Sequence, residues 1–470
     1  MCSSDLNDIS RAGELTFHGA EMCGGSRPDS IANCPGDYIA TLMEVRAKVS
    51  NLPYFSAPRV NPRPLQRLLR DIPVVVTGMG AYCGAGTSVM ELWQTVLRGE
   101  SPADWLPAAV APAGFRVAGI RAADPPSARL ARKMDRSAQL ALAAAAEAWR
   151  TAQLDKQRAR PERTGVVVGT SRGAVGKLAE SIPQAAANRA RPSDAVHCSL
   201  ANVSGMLSLA FPAHGSALTV TATCASGAVA IAMAAEQILL GHADVVLAGG
   251  TEAPLNPLVI AQLHAAGILG YAADPRLTCR PFDIARNGIV LGEGAGFLVL
   301  ESLASAQRRG APVIARLAGW ALAAEGEARA GMAHSGASLS RVITEALTLA
   351  DIAPPHLGYV NAHGTGTVLN DLAEANALYT ALAEAAVRVP CSSTKAITGH
   401  CLGASAALEA IVAIQAMREG CLPGSANCAQ PDPQVRLNLL RTATAATVNS
   451  ALSLSAGFWG NQAALAFQPA

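Results

Sequence analysis

Val220 to Ile231 reads VTATCASGAVAI. Leu218 and Val220 alternate with Thr219 and Thr221, and from Ala225 the residues turn small and aliphatic. The alternation suits a strand. The Ala, Val, Ile and Met content that follows suits a buried helix closed by Gly241. The stretch therefore predicts a strand-to-helix turn with Cys224 at the start of the helix. Two readings of Cys224 stand at this point. Free cysteine is among the most buried residue types, so it can be a small core residue. It can also be a nucleophile. Unpaired N–H groups and the positive end of the helix dipole favour a thiolate at a helix start, and Ser226 and Gly227 leave access to the sulfur. The neighbouring amides could then cradle an oxyanion.

Working outward, the same texture recurs. Continuous apolar runs appear in PVVVTGMG from Pro73, TGVVVGTS near Val166, ADVVLAGG near Val245, AGFLVLES near Leu298, PVIARLAG near Ile314 and GYVNAHG near Val360. Such runs read as strands covered on both faces. Ala-rich, helix-permissive segments lie between them, such as SAQLALAAAAEAWRTAQL and CASGAVAIAMAAEQILLG. The alternation predicts an α/β fold with largely parallel sheets. A break at RRGAP, Arg308 to Pro312, divides the core into two comparable halves, 73–309 and 310–470, without visible sequence identity between them. Residues 1–72 hold Cys2, Cys23, Cys34, several prolines and no sustained period. They read as an irregular N-terminal extension.

Composition narrows the function classes. Hydrophobic residues make up 50% of the 470 and charged residues 15%, enough for a large core. Aromatics are only 4%, so that core is built from Ala, Val, Leu and Ile packed closely around many of the 42 glycines. The net charge of +2 calls for neither nucleic acid nor an anionic membrane. Arg132, Lys133 and Arg136 read as a solvated basic face. No charge-free apolar run approaches the length of a membrane span, and the first residues lack the pattern of a secretory signal. The 11 cysteines are odd in number, scattered and free of CxxC pairs. They point to free thiols in a reducing cytoplasm, with no disulfide framework and no metal site.

Two of the nine histidines stand apart. His363 ends an apolar run in NAHGTGTVLNDLAE, where a strand opens into a Gly/Thr loop. His400, in SSTKAITGHCLGASAALEA, precedes a helix with a small-residue start. A lone histidine at a strand end is usually structural, but two of them in Gly/Thr loops beside Ala-rich helices, with a helix-start cysteine, do not read as accidental. Two other patterns are set aside. GTSRG, Gly169 to Gly173, fits GxSxG but lacks the ordered downstream Asp and His, and GMGAYCG places its third glycine, Gly84, one residue late for a dinucleotide fingerprint. Both glycine sets read as tight strand-to-helix turns. Asp283 and Glu293 do not have EF-hand spacing, and Arg286 and Gly294 read as structural.

From Pro73 to the C-terminus a series of motifs is similar to the β-ketoacyl-acyl-carrier-protein synthases, the elongating ketosynthases of fatty acid and polyketide synthesis. They are VVVTGMGA, RKMDRSAQLAL, TATCASGAVAI, ADVVLAGGTEAP, CRPFDIARNGIVLGEGAGFLVLE, NAHGTGTVLNDLAE, SSTKAITGH and NSALSLSAGFWGNQAALAF. The resemblance implies a thiolase-like fold, two similar α/β halves in a five-layered αβαβα arrangement, with a dimer across the strand near the active site. It implies decarboxylative Claisen condensation of an acyl thioester on Cys224 with malonyl-acyl-carrier protein, giving a β-ketoacyl-acyl-carrier protein. By motif, Cys224 is the nucleophile, His363 and His400 are the histidine pair, and Lys395 is the lysine five residues before His400. Asp371 and Glu374 match a supporting acidic pair. Thr365 and Thr367 match positions lining the pantetheine tunnel. The backbone N–H groups of Cys224 and Phe458 match an oxyanion hole, and Phe458, Trp459 and Gly460 a gating loop. No tightly bound cofactor is implied, because phosphopantetheine arrives on the acyl carrier protein. That carrier is one partner; an identical or related ketosynthase-like subunit is the other.

Two alternatives share the fold: a non-catalytic chain-length partner subunit, which usually lacks the nucleophile, and an acyltransferase that loads without decarboxylating. Cys401, directly after His400, reads as a packing residue. Two departures bear on specificity. The family's loop usually runs close to GFGGTN; GFWGNQ puts Trp459 in place of a glycine and Gln462 in place of an asparagine. Residues 320–339, WALAAEGEARAGMAHSGASL, lack the acid-and-His stretch common in housekeeping members. Both suggest a specialised synthase and leave the acyl chain and primer open.

Overall fold

The computed structural model describes residues 63–470, apart from 113, 127, 131–132, 156–158 and 327–332. Most of the expected irregular extension, residues 1–62, lies outside the described residues, and its last part is not irregular. Arg63–Asp71 is a helix. Its Leu69 is buried in the main core, and Gln66 Nε2 donates to the Thr348 carbonyl. Two turns of helix are too short to show a sustained period, and Pro64 falls in the first turn, where its missing N–H costs little.

Among the described residues, ten principal strands form two five-stranded sheets of the same plan, joined edge to edge into one continuous sheet that the short strand Asn438–Leu439 extends at its far edge. The first contains β1 (Val74–Cys83), β2 (Thr164–Gly169), β3 (Ala217–Val220), β4 (Val245–Glu252) and β5 (Gly294–Ser302), in the order β3-β2-β4-β5-β1. The second contains β6 (Ala315–Ala323), β7 (Tyr359–Asn361), β8 (Pro390–Ser392), β9 (Ala451–Ala456) and β10 (Gln462–Gln468), in the order β8-β7-β9-β10-β6. In each sheet the first three strands of that order pair in parallel, and the next strand runs against both its neighbours. The largely parallel expectation thus holds except for β5 and β10, whose direction no apolar run encodes. The sheets join edge to edge where Val75 and Val76 of β1 pair with Arg316 and Ala315 of β6. The repetition that sequence identity conceals is plain in this topology.

Six helices complete the layers: α1 (Arg136–Thr151), α2 (Asn202–Ala210), α3 (Ser226–Leu239), α4 (Ala337–Leu349), α5 (Val368–Leu382) and α6 (Ser405–Glu419). α1 and α2 cover the outer face of the first sheet, and α4 and α5 that of the second. α3 and α6 are packed between the sheets, giving five αβαβα layers. Glycine permits the close packing. A Cβ at Gly80 of β1 would stand 2.0 Å from the Ala144 carbonyl of α1, and one at Gly319 of β6 would stand 2.4 Å from the Ala346 carbonyl of α4.

Two expectations need correction on this point. Gly78 and Gly80 of GMGAYCG lie inside β1 and serve helix approach, not a turn. Arg136 is no solvated cation: its Nε and Nη2 clamp the buried Glu293 carboxylate at 2.9 and 2.8 Å, and Nη1 reaches Asp124 at 2.8 Å. No helix among the described residues is long and apolar enough to cross a membrane.

Candidate active site

The loops that leave the parallel strands of both sheets converge on one buried centre, as open α/β sheets place their sites at the carboxyl ends of strands. Cys224 follows β3 and precedes α3, as expected, with Gly241 in the left-handed conformation just past the helix end. His363 follows β7. Lys395 and His400 follow β8 and precede α6. Phe458 follows β9. β3 and β8 occupy the same place in the two halves, so Cys224 and His400 lie in segments that follow equivalent strands.

Cys224 is only 7% exposed. Thr223 before it holds φ +52°, a left-handed conformation costly for a β-branched residue. The loop at Gly457 closes on this turn: a Cβ there would stand 1.9 Å from Thr223 Oγ1 and 3.0 Å from the Cys224 nitrogen. Glycine is therefore required, and Phe458 is brought beside Cys224. Thr223 Oγ1 lies 3.4 Å from the Phe458 carbonyl oxygen. The start of α3 also touches the start of α6, where a Cβ on Gly227 would meet the Ala407 nitrogen and the Gly403 oxygen at 3.0 Å.

The helix-start setting does not make the thiol more acidic, as the sequence suggested it would. Burial pushes the Cys224 thiol up to about 12, and the Lys395 charge offsets this only in part. Loss of water around the sulfur outweighs the attraction of Lys395 and Arg172, and the charges of Glu252 and Glu409 add to it.

The histidine rings stand edge to face, 5.4 Å between centroids. Both are driven well below the usual imidazole range, His363 by burial and then by Lys395 and His400, and His400 by burial and then by Lys395. They are neutral at pH 7. Lys395 Nζ lies 3.2 Å from His363 Nδ1, and also donates to the His363 carbonyl and to Glu409. An ammonium only donates, so Nδ1 is the acceptor and the ring proton is on Nε2. His400 Nδ1 is 3.1 Å from Ser405 Oγ, a hydroxyl able to hold the same tautomer.

Asp371 and Glu374 hold the His363 loop by its backbone. Glu374 accepts from the His363 and Gly364 nitrogens at 2.6 and 2.7 Å, and Asp371 from those of Thr365 and Phe282 at 2.9 and 2.8 Å. Burial pushes Glu374 up to about 8 and raises Asp371, against which Arg286 at 3.9 Å acts. Thr365 and Thr367 share a hydrogen bond of 2.9 Å between their hydroxyls.

Sequence reasoning missed Glu409, the partner of Lys395. Its signal was a single acid in the apolar run SAALEAIVAI. Burial pushes Glu409 up to about 7, with Lys395 working against it. Removing one member of such a pair leaves a buried charge uncompensated. Glu409→Leu is expected to destabilise the protein by about 3–5 kcal/mol in urea unfolding, and the Lys395→Met/Glu409→Leu double variant to recover most of that loss.

An α/β half repeated about a shared middle layer, with strand ends of both halves feeding one buried region, defines the thiolase-like class. Models of the beta-ketoacyl synthase N-terminal and C-terminal domains match residues 71–306 and 314–429, and the chain belongs to that family. It is 36% identical over 413 residues to nodulation protein E of Rhizobium leguminosarum bv. trifolii, covering 85% of this chain and 99% of the relative. It is 35% identical over 410 residues to 3-oxoacyl-acyl-carrier-protein synthase 2 of Staphylococcus aureus strain MRSA252, again 85% and 99%. Among solved structures, the AntDE:AntF complex of a type II polyketide acyl-carrier protein with its ketosynthase superposes with a TM-score of 0.80 at 29% identity, covering 85% of this chain and 99% of that one.

Proposed function

We propose that the protein joins an acyl group held on Cys224 to the two-carbon unit of malonyl-acyl-carrier protein. The observation that supports this best is the meeting of the α3 and α6 starts, which puts the cysteine turn against the turn after His400. In loading, Sγ attacks the acyl thioester, the new S–C bond forms, and the carrier's thiol leaves with the cysteine's proton. The N–H groups of Cys224 and Phe458 receive the oxyanion of the tetrahedral adduct. In extension, the malonyl carboxylate leaves as CO2 and its electron pair becomes an enolate. Nε2–H of His363 and of His400 donate to the enolate oxygen. The enolate carbon attacks the acyl carbon, and the released Cys224 thiolate takes up a proton. The pantetheine arm enters past Thr365 and Thr367. Intact-mass analysis with acyl- and malonyl-carrier protein tests this directly: one acyl mass on the enzyme, then a β-ketoacyl-carrier product. Loading without extension would leave the acyltransferase alternative.

A second copy, or a related subunit, fits the open edge of the first sheet. β3 is the edge strand leading to Cys224; Leu218 on it and Leu209 on α2 are exposed.

Trp459 is read as a gate. It holds φ +62°, where a glycine would be unstrained, and its side chain is 68% exposed. It therefore does not wall the buried site in this conformation, and acts by restricting how the loop moves. Trp459→Gly is expected to widen the range of acyl groups loaded onto Cys224 and leave malonyl decarboxylation intact. An unchanged acyl profile with an altered oligomer mass would assign Trp459 to a subunit interface instead.

A further inference from the structure

The last residue of β4 is an acid that the steps above do not use. Glu252 is 0% exposed, and among the described residues it makes no ion pair. A buried carboxylate without a counter-ion is costly unless hydrogen bonds hold it. Glu252 has four. Oε1 accepts from Thr170 Oγ1 at 3.1 Å and the Arg172 nitrogen at 3.0 Å. Oε2 accepts from the Ser171 nitrogen at 2.6 Å and the Gly403 nitrogen at 3.1 Å.

The four donors belong to two different turns. Thr170, Ser171 and Arg172 leave β2 in the first half, within the GTSRG set aside above as a hydrolase pattern. Gly403 lies in the second half, three residues after His400. A Cβ on Gly403 would stand 2.6 Å from the Ser171 nitrogen and 2.8 Å from Glu252 Oε2, so the turns are pressed together over the carboxylate. The β2 turn is in turn tied to the nucleophile. The Thr170 nitrogen donates to the carbonyl of Val220, the last residue of β3. The Ser226 hydroxyl, which accepts from the Ala222 nitrogen at 2.9 Å, lies 3.3 Å from the Thr170 carbonyl oxygen.

We infer that Glu252 is a positioning residue that fixes the Cys224 turn of one half against the His400 turn of the other at the separation carbon–carbon bond formation requires. The inference rests on the condensation proposed above. Loading needs only the cysteine turn, and decarboxylation only the histidines. Joining their products needs both turns in register, and an error of about 1 Å there costs about 10²-fold.

The test measures acyl loading, CO2 release and β-ketoacyl product separately, in wild type, Glu252→Gln and Glu252→Asp. Glutamine keeps one acceptor oxygen and turns an NH2 toward two donors, while aspartate keeps the carboxylate with a shorter reach. Glu252→Gln is expected to lower β-ketoacyl formation about 10²-fold. Loading and CO2 release should fall much less, with the KM for malonyl-carrier protein nearly unchanged. The stranded enolate then takes a proton, and acetyl-carrier protein accumulates. Glu252→Asp should restore part of the coupling. Thr170→Val removes one donor and should lower product formation about fivefold, the scale of one hydrogen bond; it serves as the variant if Glu252→Gln does not fold. If wild type neither loads nor releases CO2, the proposed function itself fails. If wild type does both, and the variants keep the wild-type ratio of β-ketoacyl to acetyl product or lose all three activities in step with folded protein, the positioning role is overturned.

Discussion

Cys224→Ala is expected to leave the protein without any acyl group after incubation with acyl-carrier protein, where the wild type gains one. No other thiol near the site can substitute. Cys401 is fully buried with its Sγ 3.3 Å from the Thr398 carbonyl, and Cys279 points its Sγ at the Thr365 carbonyl at 3.7 Å. Burial raises Cys401 well above the ordinary thiol range and pushes Cys279 up to about 12. Cys224 is itself pushed up to about 12, so it differs by its place and not by a stored thiolate. It stands at the start of α3, beside Phe458, where the proposed attack and oxyanion stabilisation would coincide. A pH dependence follows. At pH values far below the thiol's pKa, the thiolate fraction grows about tenfold with each pH unit. Alkylation of Cys224 by iodoacetamide should therefore climb steadily between pH 7 and 10, without the plateau a preformed thiolate would give. Equal acyl loading in Cys224→Ala would remove the assignment, and a plateau near pH 7 would contradict the effect of burial.

What could be read from the chain was what is local. PVVVTGMG, TGVVVGTS and ADVVLAGG each contain a strand because a buried strand needs nothing beyond its own apolar run. The positions of Cys224, His363 and His400 in segments that follow strands were legible because each stands at the edge of such a run among small residues. The sign of the cysteine's shift was not visible, because it depends on how much water the folded site excludes. Nor were the partners of the acids. Glu252 and Gly403 are 151 residues apart, and Arg136 and Glu293 are 157 apart. A lone acid in an apolar segment signals a buried partner without saying which. The repeat of the two halves was hidden for a related reason: strand order is a property of pairing, and different apolar residues satisfy the same pairing equally well. Trp459 was legible as a departure, but its left-handed backbone and exposed ring were not.

The histidines make the other large prediction. His363→Ala and His400→Ala are each expected to lower CO2 release from malonyl-carrier protein by about 10²-fold or more, the scale of losing one positioned oxyanion donor. Acylation of Cys224 should fall less in both, because in the proposed mechanism loading develops its negative charge beside the Cys224 and Phe458 amides. The neutrality of the rings matters to this argument. Burial, Lys395 and the neighbouring ring keep His363 uncharged, and the Lys395 contact leaves its proton on Nε2. A neutral N–H stabilises an enolate oxygen by hydrogen bonding without giving the proton up, so the carbanion survives to attack the acyl group. An imidazolium would protonate it and end the reaction at acetyl-carrier protein. His363→Gln separates these roles, since its amide can still donate but cannot serve as an acid. It should retain more CO2 release than His363→Ala. Wild-type CO2 release in both alanine variants would exclude the pair from decarboxylation, and equal losses in His363→Gln and His363→Ala would mean that proton transfer, not hydrogen bonding, is what His363 contributes.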